Sequence, residues 1–150
     1  MRTYKKEVIQ DLMDAKLPWE EVKKIMSSPK DENRLDQFIA IQQERMPWKD
    51  EIVLPIGIHL FIVKNKKGKV VKCSCGHEFG DYRKNWKEEA IIYVRDTEEK
   101  LDEIFPGPTK CDSDWMVLRE FYCPGCGKML DVEAVPPGYP LIFNFEPELS

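Results

Sequence analysis

Histidine is nearly missing from this chain: His59 and His77 are the only two among 150 residues, too few to build a histidine-based metal centre. Long apolar runs are missing too. No stretch approaches the roughly 18 consecutive apolar residues of a membrane-spanning helix. The opening Met1-Arg2-Thr3-Tyr4-Lys5-Lys6-Glu7 leads into no apolar segment of the kind a secretory signal needs. The expectation is a cytoplasmic protein with no membrane partner. Catalytic signatures are absent as well. Gly68-Lys69 has neither the upstream glycine nor the downstream Ser/Thr of a phosphate loop, and no Gly-x-Gly-x-x-Gly, His-Glu-x-x-His or Gly-x-Ser-x-Gly occurs. An independent enzyme is therefore not expected, and no residue is assigned a catalytic role. Net basic charge is also lacking: a formal charge of -4 argues against a protein that coats nucleic acid.

What is present is enough apolar material for a core. Hydrophobic residues make up 42% and charged residues 33% of the chain, which argues against wholesale disorder. The pattern predicts an α+β protein in three stretches: an N-terminal helical segment over residues 1–46, a zinc-binding β-rich domain over 47–135, and an extended C-terminal arm over 136–150. Three short helices are expected in the first. Thr3 is placed to cap one carrying Val8, Ile9, Leu12 and Met13, and Pro18 opens a second carrying Trp19, Val22, Ile25 and Met26. Ser28-Pro29 reads as the start of a third, with Leu35, Phe38, Ile39 and Met46 as its stripe and Ile41 at the edge. After Pro47 the β-branched and aromatic content rises. Strands are expected at 51–54, 59–64, 70–73, 90–95, 115–122 and 129–135, with a short helix capped by Thr97 over 97–104.

The five cysteines carry the chemistry. In an apparently cytosolic chain they are better read as metal ligands than as a disulfide framework. Cys73-Ser74-Cys75-Gly76 and Cys123-Pro124-Gly125-Cys126-Gly127 are two tight turns that each present paired sulfurs, 47 residues apart. Four thiolates suit tetrahedral zinc, and a glycine after the second cysteine lets backbone N–H groups turn toward the sulfurs. Such a closed site leaves no open position, so the zinc ion held by Cys73, Cys75, Cys123 and Cys126 would be structural. An iron centre and a redox Cys-x-x-Cys are the competing readings. The redox one needs an apolar helix after the motif, where Gly127–Glu133 reads as turn and strand instead. His77 is read as a packed neighbour of the site in preference to a ligand, and Cys111 as a spare thiol.

Two further segments stand out. Residues 64–87 hold eight Lys/Arg against Glu78 and Asp81, a local charge of +6, with Phe79, Tyr82 and Trp86 interleaved. A basic zinc ribbon with aromatics can grip phosphates and stack bases. The alternative function is therefore a nucleic-acid-binding module, disfavoured because the rest of the chain sums to -10. In the arm, Leu141, Phe143 and Phe145 share one face when extended. Such an arm can fold back on its own sheet or dock on a neighbouring protein.

Taken together, these motifs resemble the acetone carboxylase gamma subunit family, to which the small subunit of acetophenone carboxylase is also related. The resemblance rests on Gln43-Glu44-Arg45-Met46-Pro47-Trp48, Leu54-Pro55-Ile56-Gly57, Leu60-Phe61-Ile62-Val63, Cys73-Ser74-Cys75-Gly76-His77-Glu78-Phe79, Asn85-Trp86-Lys87, Arg95-Asp96-Thr97, Arg119–Gly127 and Asp131-Val132-Glu133-Ala134. It implies a subunit of a hetero-oligomeric enzyme that carboxylates a ketone with bicarbonate and ATP. ATP and the catalytic divalent metal would then belong to large alpha and beta partner subunits, and zinc to the four cysteines here. The arm after Phe145 is shorter than the resemblance implies, and Cys111 lies outside the pattern.

Overall fold

The computed structural model describes residues 3–149, and the chain is α+β, with short helices followed by antiparallel sheets. The residues form two compact units, the first ending at Lys49 and the second beginning at Asp50.

The first unit holds α1 (Lys6–Met13), α2 (Trp19–Ser27) and α3 (Arg34–Arg45). Each contributes one fully buried isoleucine: Ile9, Ile25 and Ile41. Helices this short are marginal alone and depend on burying such side chains. Two expected caps do not form. Lys5, not Thr3, precedes α1, and no side chain caps it. The third helix starts five residues after Pro29. Ser28 donates its hydroxyl to the Lys24 carbonyl at 2.5 Å, closing α2 in place of opening α3. Buried Asp31 then draws in the Tyr4 backbone N–H at 3.4 Å and Arg34 Nε at 2.7 Å, so residues 28–33 serve as a loop. Ile41, expected at the edge of the stripe, is its centre, while Trp19, Met26 and Leu35 face solvent.

The second unit carries two antiparallel sheets. The first runs β1 (Glu51–Pro55), β2 (Leu60–Asn65), β3 (Gly68–Cys73) and β4 (Glu78–Asp81) in order; the second runs β5 (Ile91–Arg95), β6 (Val117–Tyr122) and β7 (Met129–Val135). In β2 the run Leu60–Val63 is buried on both faces, which is why it reads as continuous apolar sequence without alternation. The core joins Leu60, Ile62, Val71 and Phe79 of the first sheet to Phe121 of the second, with Trp86 between. Trp86 meets Phe79 and Phe121 edge-to-face at 5.8 and 6.1 Å between ring centres.

Several details differ from the sequence reading. Strand β4 and the 3-10 turn Trp86–Glu89 had no clear signal. Strand β6 begins at Val117, because the Trp115 and Met116 N–H groups both donate to the Asp112 carbonyl and form a turn. Helix α4 (Glu98–Asp102) is shorter than expected, although Thr97 Oγ1 does accept the Lys100 N–H at its start. The arm forms no strand. Leu141 and Leu149 pack against the core, and Arg119 donates to the Tyr139 and Pro140 carbonyls at 2.7 and 3.2 Å. The arm thus folds back on its own unit, with Phe145 left exposed.

Candidate metal centre

The two cysteine turns occupy equivalent places in the two sheets. Cys73 ends β3 and its turn leads into β4; Cys123 follows β6 and its turn leads into β7. Each turn is closed by backbone hydrogen bonds. The Cys73 N–H donates to the His77 carbonyl and the Gly76 N–H to the Cys73 carbonyl, both at 2.8 Å. In the second turn the Cys123 N–H donates to the Lys128 carbonyl at 2.9 Å and the Gly127 N–H to the Cys123 carbonyl at 2.8 Å. Gly76 and Gly127 hold φ of 105° and 71°, the left-handed region that a side chain would strain.

All four Sγ atoms lie within 4.8 Å of one another. Sulfur pairs reach across the turns at 3.9 Å for Cys73–Cys126 and 3.7 Å for Cys75–Cys123. Sulfurs about 2.3 Å from a central zinc ion stand about 3.8 Å apart along a tetrahedron's edge. The arrangement therefore fits a metal ion, and its all-thiolate character suits zinc.

Backbone N–H groups surround the sulfurs. His77 N–H donates to Cys75 Sγ at 3.5 Å, those of Gly125 and Cys126 to Cys123 Sγ, and that of Lys128 to Cys126 Sγ. The cluster is asymmetric in exposure: Cys73 and Cys123 are buried, Cys75 and Cys126 open to solvent. Burial pushes the Cys73 thiol up to about 12 and the Cys123 thiol upward. The Lys128 N–H, foremost among several donors, holds the Cys126 thiol down. Buried thiolates need a compensating cation, which a bound metal supplies.

His77 stands beside this cluster in a packing role. Its ring meets Phe79 edge-to-face at 4.9 Å, and its Cβ faces Gly125 so closely that a Cβ there would stand 2.8 Å away. Cys111 is elsewhere, its Sγ 3.7 Å from the Met116 carbonyl. Lys128 and Ser74 were not anticipated: Lys128 Nζ donates to Ser74 Oγ at 3.2 Å, bridging the two turns. No local signal marks a pair 54 residues apart.

Four of the eight basic side chains in segment 64–87 are engaged in ion pairs. Lys67 pairs with Glu78 at 2.6 Å, Lys72 with Asp50 at 2.6 Å, and Arg83 with Asp81 at 2.6 Å. Lys87 is buried against Glu133 and Asp131, with its ammonium 4.9 Å from the Phe121 ring centre. Phe79 and Trp86 are core residues, so neither offers a stacking platform for bases.

Comparison with known proteins agrees with this geometry. A family model described as acetone carboxylase gamma subunit matches residues 46–150. The chain is 45% identical over 149 residues to the acetone carboxylase gamma subunit of Xanthobacter autotrophicus, covering 98% of this chain and 89% of that protein. It is also 29% identical over 78 residues to the acetophenone carboxylase beta subunit of Aromatoleum aromaticum, covering 51% of this chain and 60% of that one.

Proposed function

Since this chain belongs to the acetone carboxylase gamma subunit family, we propose that it is a non-catalytic zinc-binding subunit of an ATP-dependent ketone carboxylase, bracing large alpha and beta subunits. The observation that carries this reading is the closed set of four sulfurs. Cys73, Cys75, Cys123 and Cys126 would fill every position of a tetrahedral zinc ion and leave none for water or substrate. The ion's part is then mechanical: it joins the β3–β4 turn of one sheet to the β6–β7 turn of the other. ATP, bicarbonate and ketone would bind in the partner subunits, where the catalytic divalent metal is also expected. The helical segment 1–46 and arm 136–150 would provide grip, and the β-rich stretch 47–135 the rigid part. The complex would work in the cytoplasm; among the described residues no helix is long and apolar enough to cross a membrane.

The test is co-expression with the large subunits, followed by intact-complex mass and metal analysis. One zinc per copy of this chain in a complex with two large subunits is the expected result. A purified chain that alone hydrolysed ATP in the presence of acetone and bicarbonate would overturn the division of labour. Recovery as a lone zinc protein bound to nucleic acid would overturn the carboxylase reading itself.

A further inference from the structure

Sheet edges are normally protected against pairing with foreign chains by charge, proline or bulges. Three of the four edges here follow that rule. β1 carries Glu51, Pro55 and a register shift. β4 carries Glu78, Asp81 and a register shift. β7 carries Asp131, Glu133 and a further shift. β5 departs from it: its one charge, Arg95 at the strand's end, is buried and engaged by Glu120 and Glu103. Ile91-Ile92-Tyr93-Val94 has no charge and no proline, and the strand's pairing with β6 is unbroken from Ile91–Tyr122 to Arg95–Leu118.

This edge is open. Ile91, Ile92 and Tyr93 are 54%, 39% and 37% exposed. Its outer backbone is met, among the described residues, only by Lys100 Nζ on the Val94 carbonyl at 3.1 Å. Backbone groups alternate along a strand, so the Ile92 and Val94 N–H groups share that outer side. The face beside the edge mixes apolar side chains with one internally paired ionic couple, Arg95 and Glu120. Ile91 and Tyr93 stand in cross-strand rows with Tyr122 and Glu120, which continue to exposed Met129 and Val132.

We infer that β5 receives an extended segment of a large carboxylase subunit as an added strand, an inference that rests on the function proposed above. A row of unpaired backbone donors and acceptors is complementary to another extended chain and to little else. A second copy of this protein is the weaker occupant on area. Covering the exposed side chains of Ile91, Ile92 and Tyr93 removes roughly 300 Å² from water, short of the ~800 Å² that each partner gives up in a stable pair. A large subunit that also engages other surfaces does not depend on this patch alone. The added strand would pair at Ile92, place alternate apolar side chains beside Ile91 and Tyr93, and end where Lys100 holds the Val94 carbonyl.

Hydrogen exchange on the wild-type chain, free and assembled with its large subunits, tests this directly. The Ile92 and Val94 amides are expected to exchange at least about tenfold more slowly in the complex. Ile92→Pro and Ile91→Lys should retain bound zinc and the free chain's melting behaviour yet assemble at least about tenfold more weakly. Unchanged exchange at these amides in an intact complex, or zinc-loaded variants that assemble like wild type, would overturn the added strand and leave the subunit assignment standing. A wild-type chain that fails to bind the large subunits would overturn both.

Discussion

Gly125 is confined by a neighbour that lies far from it in sequence. A Cβ at this position would stand 2.8 Å from the His77 Cβ and 3.4 Å from Cys75 Sγ, so Gly125→Ala must push the two cysteine turns apart. We expect zinc affinity, measured by competition with a chromophoric chelator, to fall about 10- to 100-fold. His77→Gly in the same chain should restore most of it, because it removes the Cβ that opposes the new methyl while leaving all four sulfurs. Lys87 is the second residue with a sharp expectation. Its ammonium is buried between Glu133, Asp131 and the Phe121 ring. Lys87→Met leaves the Glu133 carboxylate desolvated with Arg119 as its remaining cation at 2.8 Å. Chemical denaturation of the zinc-loaded protein should show a loss of about 3 kcal/mol, near the low end for breaking a buried pair. The cysteines were legible in sequence because each turn is a local motif. The neighbours of those turns were not, since His77 meets Gly125 and Lys128 meets Ser74 only after the sheets have folded.

At the scale of elements, α4 is fixed to the second sheet by an ionic network. Arg95 donates through Nε to Glu120 Oε1 at 2.6 Å, and through Nη1 to Glu103 Oε2 at 2.6 Å and the Lys100 carbonyl at 2.8 Å. The Tyr122 hydroxyl adds a donor to Glu120 at 2.5 Å. The Arg95 guanidinium, followed by Tyr122, holds the Glu120 carboxyl below its usual 4.5 despite burial. A carboxylate with a depressed folded pKa stabilises the fold fully above the unfolded value, and that contribution is lost as pH falls through the folded one. Stability should therefore decline on acidification below pH ~4.5, and Glu120→Gln should flatten that decline in urea titrations repeated from pH ~6 downward. Thiolate protonation would steepen the same limb in zinc-loaded protein, so wild type and variant are best compared at equal zinc occupancy. Elements were legible where a local pattern set them. Six of the seven strands lie within two residues of the ranges expected from β-branched runs. Strand β4 was hidden because Glu78-Phe79-Gly80-Asp81 is short, contains glycine and pairs only through its register with Val70–Lys72. The start of α3 was misplaced because buried Asp31 outcompetes the Ser28-Pro29 signal.

For the whole molecule, the distribution of buried side chains argues for unequal dependence on metal. The helical unit closes on Ile9, Ile25 and Ile41 without any cysteine. The β unit has Cys73 and Cys123 inside its core, in the same cluster as Phe79, Trp86 and Phe121. Two thiols in an apolar core are tolerable when neutral, as the upward push on both shows. Neutral thiols, however, no longer tie the β3–β4 turn to the β6–β7 turn. Structural zinc in comparable four-ligand sites contributes about 10–16 kcal/mol of apparent binding free energy, more than a small domain's entire stability. Chelation should therefore loosen the β unit selectively. On adding excess chelator at neutral pH, we expect the amides of β3 and β6 to lose hydrogen-exchange protection by at least about 100-fold, while those around Ile9 and Ile41 change by less than about threefold. Readdition of zinc should restore the first set. Equal loss in both units would mean that the helices depend on the metal centre for their own fold, and no loss in either would mean that the two sheets hold together through Trp86 and Lys87 without it.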